Sequence, residues 1–206
     1  MELKGENISF KYKTSKNWIL KDLNISIKSN EIKGLIGDSG SGKSTLCKIL
    51  AGYNNKYTGK VSLDNNINFN NNGFNPVQLI FQHPEQTMNP KWKMEDILFE
   101  SWDVDEDLID SFGIQKSWLK RWPNELSGGE LQRFAVLRAL SPNTNFLIAD
   151  EMTTMLDAVT QVQILDLVVD ISKKRDIGIL LVSHDKELIK KICDDTLYFN
   201  EINNNG

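Results

Sequence analysis

Nine consecutive residues, Gly37-Asp38-Ser39-Gly40-Ser41-Gly42-Lys43-Ser44-Thr45, have the types and spacing to hold a polyphosphate. Gly37, Gly42, Lys43 and Ser44 fall at the fixed places of Gly-x-x-x-x-Gly-Lys-Ser/Thr. Glycines let a loop turn its backbone N–H groups inward, and a helix that starts there adds partial positive charge. Lys43 would reach the β- and γ-phosphates, and the Ser44 hydroxyl would ligate Mg2+. The rival pattern Gly-x-Gly-x-x-Gly is missing, which argues against a dinucleotide site. Two carboxylates, Asp150 and Glu151, end an apolar run from Phe146. Beside a phosphate loop, Asp150 would hold Mg2+ and Glu151 would orient and polarise an attacking water. His184 follows a second apolar run, and a polar residue there can act at the same edge. Gln82 follows a third and could reach the metal or its water. Leu126-Ser127-Gly128-Gly129-Glu130 precedes a good helix, so Ser127 to Gly129 make a second anion-seeking helix end. Either the chain binds two anions, or two copies each offer one end to a shared nucleotide.

The elements that must position these groups are legible as an α/β pattern. Residues 2–36 read as strands, with alternation in Asn7–Tyr12 and Leu23–Ile27 and a turn at Lys28-Ser29-Asn30-Glu31. Asn30 suits a left-handed turn position. Glu31–Ile36 is a buried strand feeding the phosphate loop, and Thr45–Ala51 the first turns of its helix. Gly59–Leu63 and Val77–Phe81 are further strands. The stretch between them, 64–75, holds seven asparagines and reads as a loop or irregular hairpin. Residues 85–140 change composition. They hold four tryptophans, and eight carboxylates lie between Glu95 and Asp110. This looks like an inserted helical subdomain whose acidic helices form a solvated face or a docking surface. Asp157 caps a helix over Ala158–Ser172, with Val162, Leu165 and Val169 on one face. Ile177–Val182 is a strand, Lys186–Cys193 a helix and Thr196–Phe199 a last strand. The chain ends in a tail, 201–206, of which Asn203-Asn204-Asn205-Gly206 is expected to be disordered.

Length and charge set outer bounds. At 206 residues the chain is one domain. Its division is expected to be 1–84 with 141–200 as the nucleotide-binding core and β subdomain, and 85–140 as the helical subdomain. A net charge of −4, with no long basic run, argues against nucleic acid as a partner. Cys47 and Cys193 have no metal-like spacing and read as reduced side chains of a reducing compartment. No apolar stretch reaches the roughly 20 residues of a membrane span, and Met1-Glu2-Leu3-Lys4 does not begin a signal peptide. The expectation is a cytoplasmic chain, or one peripheral to a membrane by way of a partner.

The ordered set resembles the nucleotide-binding subunit of ATP-binding-cassette (ABC) transporters over nearly the whole chain. It runs from the phosphate loop through Gln82, Leu126–Glu130, Phe146–Glu151 and Met155-Leu156-Asp157 to His184. The resemblance implies a phosphate-loop NTPase core with an N-terminal antiparallel β subdomain and an inserted helical subdomain. It also implies ATP and Mg2+ as cofactors and a head-to-tail dimer. Each ATP would then lie between one chain's phosphate loop and the other's Ser127–Gly129. By the same likeness Tyr12 takes the adenine-stacking place, with Phe10 the second choice, and Glu151 that of the catalytic base. Within the family, Phe81-Gln82-His83-Pro84-Glu85-Gln86-Thr87-Met88-Asn89-Pro90 is similar to peptide and nickel importers, most of all compact nickel or metal-chelate import ATPases. That class implies a membrane permease docking on residues 82–92 and the acidic helices, an extracytoplasmic binding protein acting indirectly, and a heterodimer in preference to a homodimer.

The chain departs from the family pattern in places. Asn30 stands for a usual glycine, His83 for an aspartate, Met152 for a proline and Met155 for a small residue. Many peptide-importer subunits continue past the point where this chain stops, so it reads as compact or truncated. Other readings are a weakly hydrolysing partner cassette, a soluble cassette ATPase of DNA repair or translation, and a small-molecule kinase. The last would leave Ser127–Gly129 and His184 without roles. The soluble ATPases usually carry a coiled coil, a zinc insertion or a second cassette, none of which is in the sequence.

Overall fold

A computed structural model describes residues 1–14, 16–67, 73–152 and 155–203. The chain divides into two compact units. One comprises residues 1–79, 144–150 and 175–206, the other 80–143 and 151–174.

The first unit holds two sheets. Strands β1 (Glu2–Phe10), β2 (Leu20–Lys28) and β4 (Thr58–Leu63) form an antiparallel sheet in the order β2-β1-β4. β2 buries Leu23, Ile25 and Ile27 in alternation, and Leu20 beyond a register shift at the exposed Lys21 and Asp22, where Asp22 has φ 48. β1 ends at Phe10, so Tyr12 lies past the strand that the alternation suggested. The second sheet has the order β5-β6-β7-β3-β8, from β3 (Ile32–Ile36), β5 (Val77–Ile80), β6 (Phe146–Asp150), β7 (Gly178–Val182) and β8 (Asp195–Tyr198). β3, β6 and β7 are buried along their whole lengths, as central parallel strands must be. Asn30 adopts φ 58 in the turn before β3, the left-handed conformation expected of it.

The helices α1 (Lys43–Leu50), α7 (Lys186–Ile192) and α8 (Phe199–Ile202) belong to this unit. α1 starts two residues before the sequence suggests, because Gly42 takes the capping place with φ 116. The disorder expected of the tail is corrected at Asn203. Glu201 and Ile202 are helical, and Asn203 is buried. The Asn203 amide donates to the Ile19 carbonyl at 3.0 Å and accepts from the Lys21 N–H at 2.9 Å, so the segment is held. Residues 204–206 lie outside the described residues, as do 68–72 of the asparagine-rich stretch. Its first residues form a tight turn, Asp64 and Asn65 both at positive φ, closed by Leu63 and Asn66.

The second unit is helical: α2 (Met94–Phe99), α3 (Glu106–Ser111), α4 (Lys116–Leu119), α5 (Gly128–Ala139) and α6 (Ala158–Arg175). α6 buries Thr160, Ile164, Leu165, Val168 and Ser172. Of the face read from Val162, Leu165 and Val169, Leu165 is buried, Val169 is half-buried and Val162 is 43% exposed. A small polar pair, Thr160 and Ser172, holds the first and last places of a four-residue stripe that apolar counting passes over.

Candidate functional site

Register assembles the first unit's site. Leu35 of β3 pairs with Val182 of β7, and Val182 pairs with Asp150 of β6. The parallel strands therefore end in line. Gly37 leaves one end, Asp150 closes the next, and His184 follows the third within two residues, at the carboxyl edge where open α/β sheets bind ligands.

The loop itself is tightly specified. Gly40 and Gly42 hold φ of 75 and 116, which L side chains rarely adopt. A Cβ on Gly42 would sit 2.8 Å from Ile19 Cγ2, and one on Gly37 2.8 Å from Phe199 Cβ. The buried Lys43 donates to the Gly37 and Asp38 carbonyls, both at 2.7 Å, so its ammonium lies folded across the loop. Ser41 Oγ is buried without a hydrogen-bond partner. An orphaned hydroxyl and a folded lysine in a glycine cradle fit an anion that would satisfy both. Ser44 is exposed at the start of α1, and Asp150 is 6% exposed at the end of β6. A cavity of about 340 Å3 adjoins the loop, lined by Gly37, Asp38, Ser39 and Ser41 with His184, Lys186, Tyr198, Phe199 and Asn200. Lys186 to Asn200 were missed by sequence reasoning. They come from more than 140 residues away, and only the fold brings them here.

The first unit also holds both cysteines, which are free. Burial, then the nearby Asp150 charge, pushes the Cys47 thiol well up. Burial, then Asp194, pushes Cys193 up to about 12. Among the described residues no cluster of three or more His, Cys, Asp or Glu is placed to hold a metal.

In the second unit, Gln82 Nε2 donates to Glu151 Oε2 at 2.8 Å. Glu151 has φ 51, a left-handed conformation that costs a residue with a side chain about 1–3 kcal/mol and is retained where surroundings impose it. Ser127 caps α5. Its Oγ accepts from the Glu130 N–H at 3.3 Å, and the Ser127 N–H donates to Glu130 Oε2 at 2.7 Å. Gly128 and Gly129 lead α5 beside a concavity of about 410 Å3, lined with Met155, Leu156, Asp157, Arg133 and Thr160 among others. Asp157 Oδ1 accepts from the Val159 and Thr160 N–H groups, as expected of the cap of α6. Hydrogen bonds from Thr160 hold this carboxyl below its ordinary value. The Met155 side chain lies along Gly128, with Sδ 3.6 Å from where a Cβ would be. Tyr12, in the first unit, is 54% exposed and packs edge-on against Phe10, which is buried, so Tyr12 is the accessible ring of the two.

Residues 20–154 match the model of the ABC transporter family. The chain belongs to that family. This cassette is thus an ATP-binding protein and an ATPase by class. It is 31% identical to the oligopeptide transport ATP-binding protein OppF of Streptococcus mutans serotype c, covering 94% of this chain and 70% of the relative. It is 31% identical to the nickel import system ATP-binding protein NikE of Staphylococcus aureus, covering 94% and 84%. Against an oligopeptide relative of Lactococcus lactis, OppD, it spans 65% of the longer chain. The fold matches the dimeric structure of MJ0796, a bacterial ABC transporter cassette, with a TM-score of 0.79 at 25% identity, covering 95% and 93% of the two chains. Among the described residues no helix is long and apolar enough to cross a membrane.

Proposed function

We propose that the cassette hydrolyses ATP to drive an importer of nickel, a metal chelate or peptides. The hydrogen bond from Gln82 to Glu151 carries the hydrolytic part, because it holds a carboxylate, on a strained backbone, as an acceptor for a water proton. ATP supplies the phosphoanhydride bond. Lys43 turns from the loop carbonyls onto the phosphates, with Ser41 and the backbone of Gly37–Thr45 as donors. Ser44 and Asp150 would hold Mg2+, with Gln82 reaching it or its water. Such an ion takes most of its remaining ligands from phosphate and solvent, so no three-carboxylate cage is needed. His184 contacts the terminal phosphate, and Ser127, Gly128 and Gly129 serve the nucleotide of a partner cassette.

The importer part is supported by the named relatives and by the Phe81–Pro90 run. A permease in the membrane docks on residues 82–92 and the acidic helices, a capture protein acts outside, and the cassette sits on the cytoplasmic face. The partner is a different cassette, favoured by Met155 lying over Gly128 where a small residue is usual. Uptake of labelled nickel and of a labelled dipeptide, in cells carrying Glu151→Gln, tests the cargo. Loss of nickel uptake alone supports the metal reading, loss of dipeptide uptake alone the peptide reading, and no change in either contradicts the importer. A second cassette copurifying with the tagged chain supports the heterodimer; recovery of this chain alone contradicts it.

A further inference from the structure

Two exposed aromatic rings, Tyr12 and Trp18, stand on the two limbs of one hairpin, and only Tyr12 has been given work. The limbs that carry them are tied together: the Ile19 N–H donates to the Phe10 carbonyl at 2.8 Å, and Phe10 pairs with Leu20. The second limb lies against the loop, with Ile19 Cγ2 2.8 Å and the Ile19 carbonyl 3.3 Å from where a Cβ on Gly42 would be. Asn203 fixes that limb by bonding both the Ile19 carbonyl and the Lys21 N–H. Trp18, next to Ile19, is 40% exposed. The Lys11 ammonium lies 4.8 Å from its ring centroid, a cation–π contact that props the indole at the surface.

From this placement we infer that Trp18 is a second base-contacting ring of the nucleotide site, working with Tyr12 to favour purine over pyrimidine triphosphates. The inference rests on reading Gly37–Thr45 as the phosphate site. A nucleotide whose phosphates lie on that loop has its base within reach of the residues that flank Ile19. A flat, neutral base gains from stacking on indole whatever its edge, and the larger purine gains more. Lys11, held on the ring, adds a cation beside a tetra-anionic ligand. The limb is clamped from both sides, so the ring is presented in advance of binding rather than recruited by it.

Calorimetric titration with ATP, CTP and inorganic tripolyphosphate tests this. Tripolyphosphate reads the phosphate loop alone. In Trp18→Leu, ATP is expected to weaken about tenfold, CTP less, and tripolyphosphate not at all, so that the preference for ATP over CTP narrows. Trp18→Phe keeps a ring and is expected to stay within about threefold of the unaltered chain. Unchanged ATP affinity in Trp18→Leu overturns the inference. So does an equal loss of ATP and tripolyphosphate, which makes Trp18 a prop for the loop. Failure of tripolyphosphate to bind the unaltered chain overturns the phosphate-site reading itself, and this inference with it.

Discussion

Gly40 and Gly42 look equivalent in the sequence, yet the structure separates them. Both hold positive φ, but a Cβ on Gly40 would meet nothing within 4 Å, whereas on Gly42 it would meet Ile19. Gly40→Ala is therefore expected to lose about 1 kcal/mol, the strain of the left-handed backbone alone. Gly42→Ala adds a steric overlap with Ile19 on the hairpin limb, so it is expected to lose more stability and to abolish ATP binding. Thermal melts with ATP titration check the order; a Gly42→Ala chain as stable as Gly40→Ala would contradict it. The Lys43 ammonium donates to two loop carbonyls, and in the proposed site these bonds would give way to phosphate. Such residue-level detail was half legible. The loop's glycines follow from spacing, while their neighbours Ile19 and Phe199 follow only from the fold.

Helix α5 carries Ser127 at one end and an anomaly inside. Gln132 is fully buried, and neither atom of its amide finds a hydrogen-bond partner. A buried unpaired amide costs about 1–3 kcal/mol. Gln132→Met, similar in volume and apolar, is expected to stabilise the chain by about 1 kcal/mol in urea unfolding. A loss of stability would show that the amide is satisfied in solution. Ser127 and Asp157 were legible as caps, because an oxygen side chain before a helix has one economical use. The buried face of α6 was not, because its stripe begins at Thr160 and ends at Ser172, and apolar periodicity undercounts such residues. Asn203 was read as part of a loose tail for a similar reason: asparagine is common in tails, and nothing local says that two backbone groups at Ile19 and Lys21 await it.

At the scale of the molecule, parallel register draws Gly37, Asp150 and His184 to one edge of the sheet, and the helical unit joins Gln82 to Glu151 and Ser127 to the concavity with Asp157. The order of motifs made the family legible before any coordinates, since few folds need a phosphate loop and a Ser-Gly-Gly helix start in one chain. Cargo was not legible, because selectivity in such importers resides in the permease and capture protein. In the proposed reaction Glu151 activates water for ATP hydrolysis. Its most direct test is the turnover of Mg-ATP by Glu151→Gln, with ATP binding measured on the same sample. Turnover is expected to fall about 100-fold or more with ATP still bound; hydrolysis at the unaltered rate would remove Glu151 from that role.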